Sequence, residues 1–279
     1  MTGAEDFSFA LRKLAIAPFS PVIVHASLSA FGEVRGGADA VLSALLNTFE
    51  ILIMPAFTYK TMVVPAEGPP DNGLVYGSYP DANLMAEFYH PEMAVDRLMG
   101  IVPENLRRRP GVHRSLHPIL SFVGVNASFI LERQTINEPL TPIQLLMEEH
   151  GWVLLLGVDH TVSTSIHLGE RLAGRKQFVR WALTPDGVLE CPHFPGCSDG
   201  FNQIAPHLSS MIRQEQVGGS FIQAVPLPGL IAVAKDLVEM DPWALLCDRA
   251  YCERCQSVRS QLVTAEEKCV EPKDDSSAG

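Results

Sequence analysis

Residues 151–170 read GWVLLLGVDHTVSTSIHLGE, and this stretch decides the fold. Trp152 to Leu156 is a continuous apolar run, short enough for a buried strand. It stops at Gly157 and opens into Asp159, His160, Thr161, Ser163, Thr164 and Ser165. Ile166, His167, Leu168 and Glu170 then begin a helix. A polar cluster between the C-terminal end of a buried strand and a helix N-terminus is where open α/β sheets place their ligands. Histidine is also the side chain whose ordinary pKa suits proton transfer near neutral pH. His167 and Glu170 fall on one helix face, where the carboxylate can orient the imidazole or make it a better base. A backbone-bonded histidine and a surface ion pair would use the same spacing. One of Ser163, Thr164 and Ser165 is expected to cap the helix with its hydroxyl. No Gly-x-Ser-x-Gly elbow occurs, which argues against a serine hydrolase.

The segments before this one alternate in the same way. Phe7 to Ile16 reads as an amphipathic helix, and Pro21 to His25 as a buried strand ending in the polar turn Ala26 to Ser29. Ala38 to Asn47 has helical spacing, and Ile51 to Met54 is a second strand stopped by Pro55. Glu104 to Arg109 reads as a helix, Ser121 to Val125 as a strand and Pro142 to His150 as a helix. This β-turn-α-β order predicts an α/β/α sandwich around a central mixed, mostly parallel sheet. Residues 59–97 hold Pro65, Pro69, Pro70, Gly73, Gly77 and Pro80, so a long irregular loop is expected, walled by Phe57, Tyr59, Tyr76, Tyr79, Phe88 and Tyr89. After about residue 175 the pattern changes. Gln177 to Leu183 and Val188-Leu189 flank Thr184-Pro185-Asp186-Gly187, a hairpin turn. Phe201 to Met211 reads as a helix, Ser220 to Val225 as a strand and Pro228 to Val238 as a helix. The C-terminal half therefore adds an antiparallel extension to one domain over 1–263, and the polar stretch 264–279 is expected to be a disordered tail.

The 279 residues carry a formal net charge of −11, which argues against nucleic acid and suits a cationic amine. No window of 18 apolar residues occurs, and the N-terminus MTGAEDFSFALRKLAIAP lacks the basic start and apolar run of a secretory signal. Neither a membrane span nor export is expected, so the chain is placed in the cytoplasm as a monomer or homodimer. Six cysteines in a reducing compartment mean free thiols or a metal site. Cys191 and Cys197 lie in CPHFPGC, and Cys252 and Cys255 form a C-x-x-C. These four could close a structural zinc site, with Cys247 and His193 as alternative ligands.

Arg107 to Pro118 (RRRPGVHRSLHP) concentrates four arginines and two histidines in an acidic chain, which suggests an anion site. A helix C-terminus explains Arg107 to Arg109 as well. The turn Ser27-Leu28-Ser29 follows a strand, and its backbone N–H groups could hold a pyrophosphate. Neither Gly-x-Gly-x-x-Gly nor a Walker A motif is present, so nicotinamide dinucleotide and ATP are disfavoured.

Together these segments resemble the aminoglycoside 3-N-acetyltransferases, the antibiotic N-acetyltransferase fold. The family's VHxSLxxxGxVxGG stands at Val24 to Gly37 and its MPxFT at Met54 to Thr58. Its RRxPGxxRSxHPxxSxxG stands at Arg107 to Gly124, and its LLGVxxxxxTSxHLxE at Leu155 to Glu170. The resemblance implies acetyl transfer from acetyl-CoA to an amine, in that family the 3-amino group of a 2-deoxystreptamine. It implies His167 as general base, Glu170 as its orienting carboxylate and Thr164 as a donor to the oxyanion. His25, Ser27, Leu28, Ser29, Arg114, Ser115 and His117 would hold the coenzyme, and Tyr59, Asp81, Glu87 and Asp159 the acceptor. The family's Asp-Met-Gly stands here as Leu98-Met99-Gly100. Acetylation of a non-antibiotic amine, or binding of coenzyme or aminoglycoside without turnover, are the competing readings.

Overall fold

The structure, a computed structural model, describes residues 2–77 and 80–270. Its strands are, in chain order, β1 (Val22–Ala26), β2 (Leu52–Pro55), β3 (Met62–Val63), β4 (His113–Arg114), β5 (Phe122–Val125), β6 (Trp152–Leu156), β7 (Phe178–Thr184), β8 (Gly187–Phe194), β9 (Arg213–Val217) and β10 (Ser220–Pro226). Seven of them form one sheet in the order β4-β5-β2-β1-β6-β10-β9, and β3-β7-β8 form a second.

The three apolar runs legible in the sequence make the centre of the large sheet. β1 pairs parallel with β2 and with β6, Val22 lying opposite both Leu52 and Trp152. Side chains along a strand alternate between faces. Ile23, Val153 and Leu155 accordingly enter one buried cluster, while Val22, Val24, Leu154 and Leu156 enter the other. Helices Thr141–Glu148 and Leu227–Met240 cover the first face through Ile143, Leu146, Leu230 and Ile231; helices Ala4–Lys13 and Gly37–Leu46 cover the second through Phe7, Leu11, Val41 and Leu45. The α/β/α layering is as the sequence indicates.

The expectation of a mostly parallel sheet is corrected. The outer pairs β4–β5, β5–β2, β6–β10 and β10–β9 are all antiparallel. Parallel neighbours need a crossover connection, whereas antiparallel ones need only a tight turn. Gly37–Leu46 supplies such a crossover between β1 and β2, but β9 and β10 are joined by Gly218-Gly219 alone. In the second sheet the expected hairpin is present, with Thr184 opposite Gly187.

Three other segments differ from the sequence reading. Phe201 to Met211 forms a 3-10 turn over Phe201–Ile204 and a single helical turn over Ala205–Leu208 in place of one long helix. The polar strand β9 had no apolar pattern to reveal it. Helix Glu253–Val270 carries its backbone into the stretch expected to be disordered; residues 271–279, like Tyr79 of the aromatic wall, lie outside the described residues. No helix among the described residues is long and apolar enough to cross a membrane.

Candidate active site

β6 is fully buried from Val153 to Leu156, and the chain turns at Gly157 with φ +65°. A Cβ there would meet Ala30 Cβ at 2.7 Å and Phe31 Cε2 at 2.9 Å, so only glycine lets this turn run against the one that follows β1. The Asp159 carboxylate then accepts from the Thr161 N–H and holds the 3-10 turn His160–Val162. Helix Ile166–Leu172 follows. Its N-cap Ser165 makes no capping hydrogen bond with its side chain, contrary to expectation, and the Ser163 and Ser165 hydroxyls are buried without a protein partner. Gly169 sets this helix directly on helix Leu227–Met240, since a Cβ would lie 2.6 Å from Ala234 Cβ and 2.8 Å from the Ile231 carbonyl.

This packing buries the pair that the sequence singled out. His167 Nδ1 lies 2.8 Å from Glu170 Oε2, with side-chain exposures of 8% and 3%. The other carboxylate oxygen, Glu170 Oε1, accepts from Arg175 Nη1 at 3.1 Å. Arg175 Nη2 donates in turn to the carbonyls of Pro242 and Ala244. The Phe201 ring meets the imidazole edge-on, centroids 4.6 Å apart. Nδ1 engaged by a carboxylate fixes the ring and leaves Nε2 as the nitrogen available for proton transfer, the arrangement carboxylates give to catalytic imidazoles. Sequence reasoning missed Arg175, because it lies past the helix end, outside the spacing that pairs helical side chains.

His167 opens onto a cavity of about 1150 Å³. Thr164, His25, Ser27, Leu28, Ser29 and Tyr59 line it too, so seven of the expected site residues converge. Burial pushes the His25 imidazole down to about 4, and its Nε2 has no protein partner. Burial drives the Tyr59 hydroxyl up to about 12, against the opposing pull of the nearby Arg254. Arg97, Arg180 and Arg254 also line this space. Arg180 left one trace in the sequence, a lone cation inside the apolar run of β7.

Other expected site residues lie elsewhere. Arg114 does not line the cavity: its guanidinium donates to Ser121 Oγ and to the carbonyls of Ala56, Pro91 and Met93. Ser115 Oγ accepts from the Phe122 N–H, and His117 Nδ1 accepts from the N–H groups of Ile119 and Leu120. These bonds hold the chain around β4 and β5, and none of the three residues lines the cavity beside His167. Arg107 and Arg108 bond Glu104, and Arg109 bonds Asp39. Asp81 is exposed on the short helix Pro80–Leu84, and Glu87 pairs with Lys60 on the surface. Asp159 borders a smaller adjoining recess, its oxygens taken by Thr161 and Asn202.

The cysteine set changes by one member. The sulfurs of Cys197, Cys247, Cys252 and Cys255 lie within 4.8 Å of one another. Cys191 is not among them: on β8 it is fully buried in the core, where burial pushes its thiol up to about 12. Cys247, on the loop before the last helix, takes its place. His193 turns away and engages the Asn137 carbonyl.

Comparison with known proteins identifies the family and the fold. The family model of the aminoglycoside 3-N-acetyltransferases matches residues 23–239. The chain belongs to that family. It is 33% identical over 173 residues to the SPbeta prophage-derived aminoglycoside N(3')-acetyltransferase-like protein YokD of Bacillus subtilis (strain 168), a match covering 57% of this chain and 61% of that one. It is 28% identical over 232 residues to aminoglycoside N(3)-acetyltransferase III of Serratia marcescens, covering 74% of this chain and 84% of that one. The solved structure of AAC-IIIb in its binary complex with CoASH shares the fold with a TM-score of 0.67 at 24% identity, covering 85% of this chain and 96% of that one.

Proposed function

We propose that the protein transfers the acetyl group of acetyl-CoA to a primary amine, with His167 as general base. The observation that carries this reading is the buried line His167–Glu170–Arg175 at the wall of a cavity that also holds the Ser27–Ser29 turn. Acetyl-CoA is the co-substrate that the family and its CoASH complex point to. The Ser27–Ser29 turn and His25 hold the coenzyme on the β1 side. His167 Nε2 takes a proton from the acceptor ammonium, and the freed lone pair attacks the thioester carbonyl. Thr164 donates to the oxyanion of the tetrahedral intermediate, a contact worth about 3 kcal/mol in comparable sites. Collapse breaks the C–S bond; the departing CoA sulfur takes the remaining proton from the nitrogen and leaves as the thiol, and His167 returns its proton to solvent.

The relatives' names put aminoglycosides, acetylated at N3, first among acceptors. A non-antibiotic amine is the second reading, and the cationic lining of the cavity favours it. Thiol release from acetyl-CoA by purified protein, with and without gentamicin, kanamycin, neomycin and apramycin, tests the first. Release establishes acetyl transfer; failure to bind CoA in calorimetry removes it.

The four clustered cysteines fit a structural zinc ion. Tetrahedral Zn–S bonds of about 2.3 Å set sulfurs about 3.8 Å apart, compatible with the span seen here. The metal would tie the loop at Cys197 to the last helix and takes no part in the proton transfers above. One zinc per chain by elemental analysis, and a lower melting temperature after chelation, are expected; metal-free protein with unchanged melting would remove this reading.

A further inference from the structure

The cavity beside His167 has the wrong sign of charge for a polycation. Arg97, Arg180 and Arg254 line it, and Asp199 is its sole acidic residue among those described. Asp199 is itself spent, pairing with Arg249. The carboxylates that the sequence offered for ammonium groups, Asp81 and Glu87, lie outside the cavity, and Asp159 is held by Thr161 and Asn202.

The arginines fall on two walls. Arg97 belongs to the segment that packs on the end of β1, where a Cβ on Gly100 would lie 3.2 Å from the Ala26 carbonyl. That is the wall of the Ser27–Ser29 turn. Arg180 and Arg254 come from β7 and the last helix, beside Gly73, Phe194 and Gly196. Arg180 is 3% exposed, yet no carboxylate among the described residues bonds it, Glu253 attracting it only through its charge. Its guanidinium donates only to the carbonyls of Asn72, Val179 and Gly73, between the rings of Phe178 and Phe194. Arg254 donates to the Gly196 carbonyl. Burial, and then the charge of Arg254, push Arg180 down to about 10, so it stays cationic at neutral pH. A buried cation with no carboxylate in bonding contact is costly, and a second guanidinium on the same wall adds to that cost. An anion arriving with a ligand relieves that cost, and the planar guanidinium fork suits carboxylate and phosphate oxygens.

We propose that the acceptor is an amine that also carries a carboxylate or phosphate, its anion seated on Arg180 and Arg254 and its amino group presented to His167. This rests on the acetyl-transfer reading and names the acceptor class within it. Because CoA also carries phosphates, the test must separate the two sources of anion. Thiol release from acetyl-CoA is measured with matched acceptors, glucosamine against glucosamine 6-phosphate and 4-aminobutanol against 4-aminobutyrate, beside kanamycin and gentamicin. The anionic member of each pair is expected to show at least tenfold higher kcat/KM than its neutral partner. Arg254→Gln and Arg180→Gln are expected to raise KM for the anionic member tenfold or more without raising KM for acetyl-CoA. Arg254 is the less buried site, so its variant keeps the test sound if Arg180→Gln fails to fold. A rise in KM for acetyl-CoA alone would reassign both arginines to the coenzyme and overturn the proposal. Faster turnover of kanamycin or gentamicin than of every anionic amine would overturn it and leave the acetyltransferase standing. No CoA binding at all would remove both.

Discussion

Two stretches of this chain, residues 107–118 and 157–175, are similarly rich in polar and titratable side chains, and they do opposite work. In the first, every arginine is engaged: Arg107 and Arg108 with Glu104, Arg109 with Asp39, and Arg114 with three carbonyls and Ser121. In the second, the commitments stop one atom short. Glu170 receives Arg175 on one oxygen and His167 on the other, and the far nitrogen of His167 is left for the cavity. A site is defined by the valence that the fold leaves uncommitted, and density of charge along the sequence does not measure that.

The comparison breaks most readily at its two centres. His167→Ala is expected to cut kcat of the folded protein by about 10²- to 10⁴-fold, the usual contribution of a general base. Full turnover in that variant would strip the second stretch of its role. Arg114→Ala should behave in the reverse way. It leaves buried carbonyls unpaired and should cost about 2–4 kcal/mol of stability, read by chemical denaturation, while KM for acetyl-CoA stays within twofold. A raised KM at unchanged stability would return Arg114 to the coenzyme.

Acid separates structure from site more finely. Burial holds His117 down to about 4, and its Nδ1 accepts two backbone N–H groups, so the folded chain keeps it neutral. The unfolded chain takes up a proton near 6.5. Stability is therefore fully present above that pH and declines as pH falls from 6.5 towards 4, by about 2 kcal/mol at pH 5 from this residue. His117→Asn should flatten the slope of melting temperature against pH; an unchanged slope would mean that His117 is not what titrates. The smallest effect falls on the outer member of the relay. Arg175→Lys should lower kcat roughly tenfold with little change in KM, as outer-shell partners commonly do. An unaltered kcat would make Arg175 purely structural.

Much of the centre was legible because it obeys simple periods. The apolar runs of β1, β2 and β6 could only be buried strands, and the polar turns after β1 and β6 meet because those strands are parallel neighbours. His167 and Glu170 were readable from helical spacing. What escaped depended on neighbours distant in sequence. Cys191 and Cys247 are equivalent thiols in a linear reading; β8 turns one into the core, and the loop before the last helix brings the other to Cys197. Arg180 and Arg254 are 74 positions apart by number and meet only when the second sheet and the last helix close one wall. β5 and β10 were readable as strands, but their direction was not, because the partners they pair with, β2 and β6, lie far away in the chain.

The two carbonyls that receive Arg175 belong to Pro242 and Ala244, a few residues before Cys247. Local opening of that connector would release Arg175, then Glu170, then the ring of His167, with both sheets still intact. Segments open independently when few buried contacts hold them. On gentle warming the enzyme should fall silent before circular dichroism records any melting, and recover on cooling.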